Sequence, residues 1–199
     1  QLPKRPSGEI FVENVIETFA HEMHHSGFSS CTDKHMTDVE NKDRIMLAAV
    51  LAAEGMPTYF INRMRENLPV LRDSTDELHQ MLAAQWAKNL VRLPEFYEMA
   101  ERDIQRNMDG EIGQQEIFET WMSGLQGPAY VLGLDMFAVI EEYLSLEEAK
   151  KIAQDCRRLL SIYNRAAEKA NSAGGNYFVY DAELAQNLQQ FTGTDNNPD

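Results

Sequence analysis

The chain has 199 residues, 43% of them hydrophobic, which is enough for one domain or two small ones with a real apolar core. Asp and Glu number 32 against 18 Lys and Arg, a formal charge of −14, so nucleic acid and anionic membrane surfaces are poor partners and neutral or cationic ones are favoured. The longest apolar run, residues 45–53, falls well short of the roughly 20 residues a membrane-crossing helix needs, so no transmembrane segment is expected.

The first residues, Gln1-Leu-Pro-Lys-Arg, include neither an initiator Met nor an apolar signal segment. Such a start fits a processed form of something longer, missing upstream residues; it is compatible with a soluble, exported bacterial protein, although the compartment itself is not written in the sequence. From residue 7 to 25 the apolar side chains Val12, Val15, Ile16, Phe19 and Met23 recur at helical spacing, with Gly27 where a C-terminal cap belongs. The pattern predicts an amphipathic helix with that stripe turned inward. Residues 29–42 are polar and aperiodic and hold Cys31, Asp33, His35, Asp38 and Glu40, which predicts a surface loop or lid.

A second helix is expected over residues 43–54, broken by Gly55 and Pro57 and resuming over 58–65. Ser74-Thr-Asp-Glu77 and Ser145-Leu-Glu-Glu148 have the form of capping boxes, predicting helices over 78–91 and 149–170. Between them, residues 95–107 and 114–122 read as helices, and Pro128 suits the first position of another ending near Leu144. Only residues 177–180 read as strand. The fold class is therefore mainly α, with little or no β-sheet: a single domain over 1–191 and a frayed polar tail over 192–199. Cys31 and Cys156 form no CxxC pair, and a disulfide between them cannot be deduced.

The chemistry is concentrated in His21-Glu22-Met23-His24-His25, which satisfies H-E-x-x-H. Spacing of i, i+4 stacks His21 and His25 on one helix face, where two imidazoles can share one metal ion, most simply Zn2+, with Glu22 beside it as general base. His24, about 100° away around the helix, points elsewhere. A catalytic zinc needs a third protein ligand. A further His at position 31 would complete the longer H-E-x-x-H-x-x-G-x-x-H pattern, but positions 28 and 31 are Phe28 and Cys31. Glu54 is the best remaining candidate, because it closes the apolar run of residues 45–53, and a carboxylate entering a buried helix needs a compensating cation. His35, Asp38 and Cys31 are reserve ligands.

His21-Glu-Met-His-His-Ser-Gly-Phe28, Glu54-Gly-Met-Pro-Thr-Tyr59 and the block from Gly127-Pro-Ala-Tyr130 to Glu141 together resemble the gluzincin-type bacterial proteins described as zinc-dependent peptidases. The resemblance implies a zincin-like helical metallopeptidase domain in which His21, His25 and Glu54 hold zinc, Glu22 activates water, and peptides or proteins are the substrates. Side chains eligible to stabilise an oxyanion are Tyr130, Tyr59, His79 and Tyr180, of which Tyr130 is favoured by its place in the family-like block. Asn14, Thr18, Asp135 and Glu141 could orient the imidazoles, with none preferred. Two rival readings remain: a zinc-binding or interaction module of the same fold without catalysis, and an all-α scaffold without metal.

Overall fold

The computed structural model describes residues 12–35 and 42–191. Most of them are helical and none forms a strand. In chain order the helices are α1 (Val12–His35), α2 (Met46–Phe60), α3 (Met64–Arg72), α4 (Glu77–Val91), α5 (Leu93–Met108), the short α6 (Gln114–Ile117) running into a wider π-helical turn (Phe118–Met122), α7 (Pro128–Tyr143), α8 (Leu146–Gln154), α9 (Leu159–Ser172) and α10 (Ala182–Gln190). No helix among the described residues is long and apolar enough to cross a membrane.

The centre of the molecule is the crossing of α2 and α7. Both are apolar around most of their circumference, as helices covered on every side must be, and Leu47, Ala48, Leu51, Leu132, Met136, Phe137 and Ile140 are fully enclosed. Gly55 and Gly133 meet at the crossing: a Cβ built on Gly55 would lie 2.4 Å from the Gly133 backbone. Glycine is required on both helices because nothing larger fits between them. Amphipathic α5, α8, α9 and α10 pack around this pair, and Asn107 of α5, buried, takes the Leu47 N–H at 3.1 Å and so serves the N-terminus of α2 from another helix.

Several local expectations are overturned by tertiary packing. Gly27 does not cap α1, which continues to His35; the predicted loop over 29–42 is helical to that point, and residues 36–41, with Asp38 and Glu40, lie outside the described residues. Of the apolar stripe of α1, Ile16, Phe19 and Met23 face outward, 60, 65 and 60% exposed, while the histidine face turns toward α2. Phe28 is the one fully buried side chain among those described in α1. Helix α2 runs unbroken through Gly55 and Pro57, so Glu54 is not at a helix break. Pro57 has no N–H to donate to the Ala53 carbonyl, a loss of one helical hydrogen bond that surrounding apolar packing offsets. The helix stops at Phe60 instead, where Arg63 adopts a left-handed conformation (φ 47°).

Asp76, not Ser74, caps α4, accepting from the Leu78 and His79 N–H groups, whereas Ser145 caps α8 through Glu148 as its box predicts. The helix expected over 149–170 divides at Asp155, whose carboxylate accepts from Arg157 N–H and opens a short 3-10 turn. Residues 177–180 form no strand. Asn171 exchanges two hydrogen bonds with the Tyr177 backbone and Asn164 two with Tyr180, so side-chain amides seven residues apart on α9 satisfy the groups a neighbouring strand would have paired. Cys156 is a free, buried thiol, pushed up to about 12 by burial.

Candidate metal centre

Helix periodicity puts His21 and His25 on the face of α1 that meets α2, with their rings 4.8 Å apart, edge to face. From α2, Glu54 projects between them: its Oε2 lies 3.4 Å from His21 Nε2 and 3.6 Å from His25 Nε2. The three ligand atoms all fall within 4.8 Å of one another, a spread that one metal ion can bridge. Glu54 is 8% exposed and is followed in α2 by the buried Gly55, Met56, Pro57 and Thr58, so without a cation its charge is costly. Its partners respond accordingly. The Glu54 carboxylate raises the His21 pKa above 6.5, with burial opposing it and Asn62 adding to it.

Asn62 was not foreseen among the orienting groups. The turn after α2, in which Ile61 and Asn62 N–H groups both donate to Pro57 O, carries it to the far edge of His21. There His21 Nδ1 donates to Asn62 Oδ1 at 2.6 Å. This fixes the tautomer and leaves the Nε2 lone pair directed to the side where Glu54 stands, the arrangement expected of a histidine that ligates a metal. Asn67 Nδ2 holds the Asn62 backbone carbonyl at 2.7 Å. Of the orienting candidates weighed from sequence, Asp135 takes the Tyr97 hydroxyl and Glu141 that of Tyr59.

Glu22 is exposed, and with His21, Asn62 and Tyr130 it lines an open cleft of about 1010 Å³ bounded by α1, α3, α4 and the start of α7. Tyr130 is half-buried; burial and then the nearby Glu54 carboxylate raise its pKa, with Glu22 adding to the effect. The other oxyanion candidates are placed differently. Tyr59 is engaged with Glu141, Tyr180 is buried with its hydroxyl on Met136 Sδ, and His79 lines the cleft but bonds Ser74. His24 sits against Phe28, outside the three-residue group; burial lowers its pKa to about 4 and keeps it neutral. The side chains of Cys31 and His35 lie outside the described residues, as does Asp38.

Two imidazole nitrogens, one carboxylate oxygen, a fixed tautomer and an adjoining cleft form a donor set suited to zinc with a coordination position left over. A family model described as "Putative zinc dependent peptidase (DUF5700)" matches residues 10–172, a span that includes every residue of this cluster. No curated protein and no solved structure matches the chain.

Proposed function

The chain belongs to this zinc-dependent peptidase family, and from that premise we propose that it is a zinc metallopeptidase, a single zincin-like domain whose centre is held by His21, His25 and Glu54. The observation that carries the reading is the convergence of those three side chains, from two helices, within 4.8 Å. Zinc, when bound there, supplies a Lewis acid and brings the pKa of water down to about 7.

The remaining work falls to the protein. Glu22, next to His21 and open to the cleft, takes a proton from the attacking water. As water adds to the peptide carbonyl, the Tyr130 O–H donates to the developing oxyanion. Glu22 then returns the proton to the leaving amine as the C–N bond breaks, giving a carboxylic acid and an amine. Asn62 keeps His21 in the ligating tautomer throughout.

The test is elemental analysis of the purified chain and of His21→Ala and Glu54→Ala, with peptide cleavage measured for Glu22→Gln. One zinc per chain, reduced in both ligand variants, together with cleavage that Glu22→Gln abolishes without losing zinc, is the expected result. Zinc without Glu22-dependent cleavage would make the chain a metal-binding module, and no zinc at all would overturn the reading.

A further inference from the structure

One polar side chain in the cleft is held rigidly and still has an uncommitted end. Gln126 precedes α7 and lines the same cleft as His21, Glu22 and Tyr130. The buried Trp86 of α4 donates its indole N–H to Gln126 Oε1. An indole is a donor only, so the carboxamide must turn its oxygen to Trp86 and its NH2 away. That NH2 has no partner among the described residues. The backbone is fixed as well: Gln126 O accepts from Asn89 Nδ2 at 3.0 Å, and Asn89 Oδ1 accepts from Gln85 Nε2 at 3.0 Å. The next residue, Gly127, is seated so closely that a Cβ would lie 2.3 Å from Trp121 O. A preset donor of this kind costs little entropy to use.

The surroundings are selective in two further respects. Met64 and Leu71 of α3, Leu82 of α4 and Leu125 line one side of the cleft, and Leu125 remains 48% exposed. The charged side chains lining it are carboxylates, Glu17, Glu22 and Asp73, with no Lys or Arg among the described lining residues; Arg72, paired with Asp73 at 2.9 Å, does not line it. Among the described lining residues a C-terminal carboxylate would meet no Lys or Arg, and an acidic side chain would face like charge.

We infer that the cleft binds an internal peptide segment in extended form, with the Gln126 carboxamide donating to a main-chain carbonyl, a bulky apolar side chain lying on the Met64, Leu71, Leu82 and Leu125 wall, and acidic residues excluded. This rests on the peptidase reading and specifies its substrate class. Gln126 is a substrate-binding residue in this scheme, and Trp86 is the positioning residue behind it.

The experiment uses the full chain carrying Glu22→Gln, loaded with zinc, and fluorescently labelled ten-residue peptides blocked at both ends, read by anisotropy. A neutral probe with a central Leu should bind at least tenfold more tightly than the same probe with central Gly, or with Glu on either side of Leu. Adding Gln126→Glu, which keeps an oxygen for Trp86 and removes the donor, should weaken the Leu probe at least tenfold with zinc content unchanged. Zinc bound but all probes held equally, or Gln126→Glu without effect, would overturn the inference and leave the peptidase reading standing. Absence of zinc from the parent chain would overturn both.

Discussion

Replacing Gly55 by alanine tests the helix crossing that places Glu54 and Tyr130 in one site. A Cβ there would lie 2.4 Å from both the C and Cα atoms of Gly133 and 2.8 Å from its O, against an ordinary carbon contact of about 3.5–4 Å. The atoms met are backbone and cannot rotate aside, so α2 and α7 must separate by roughly 1 Å. Helix propensity alone favours alanine over glycine by about 1 kcal/mol, and overpacking costs about 1–3 kcal/mol or more. Because two backbones collide, the upper end applies and the net change is a loss of about 1–2 kcal/mol, a sizeable part of the ~5–15 kcal/mol typical of a domain. Gly27→Ala is the matched control, since it sits inside α1 with nothing within 4 Å of an added Cβ, and it should gain up to about 1 kcal/mol. Urea unfolding of the chelator-treated protein reads both. Gly55→Ala should also weaken zinc binding, because Glu54 moves with its neighbour. A stabilised Gly55→Ala, matching Gly27→Ala, would refute the close crossing.

Asn62→Ala should weaken zinc by about 10–100-fold, as loss of a hydrogen bond to a ligating imidazole typically does; competition with a chromogenic chelator measures it, and unchanged affinity would remove Asn62 from the site. Stripping the metal should raise hydrogen exchange in residues 16–28 while α2 and α7 stay protected, because Phe28 is the one fully buried side chain described in α1 and the histidines supply much of its remaining attachment. Equal protection with and without metal would contradict that coupling. Asp135→Asn addresses a different buried group. Burial raises the Asp135 pKa above its ordinary 3.8, overriding the Tyr97 hydroxyl that donates to it at 2.8 Å. A raised carboxyl contributes stability while protonated and loses it as pH climbs through the folded value. The asparagine variant should therefore match the parent below pH 3.8 and be the more stable of the two at neutral pH. Urea midpoints across that range would show it, and an advantage confined to acid would reverse the argument.

Much of this was local and readable from the chain. The i, i+4 spacing of His21 and His25 guarantees a shared face on any helix, Ser145 caps α8 by contacts within four residues, and Pro128 begins α7 because a first-turn position needs no N–H. A carboxylate at the end of an apolar run, Glu54, could be singled out because its burial demands a partner. Which face of α1 turns inward was not readable: an apolar stripe ordinarily seeks the core, yet Ile16, Phe19 and Met23 stand in solvent while the histidines face Glu54. Nor could local propensity foresee that α2 would pass through Gly55 and Pro57, since the packing of Gly55 on Gly133 comes from a helix some eighty positions away. The same holds for residues 177–180, whose extended backbone found its partners in Asn164 and Asn171, and for Asn62, which reaches His21 only because Arg63 turns the chain there. Sequence alone determined the helices and the residue types able to bind a metal; their convergence, orientation and cleft depended on contacts between distant segments, which no local pattern encodes.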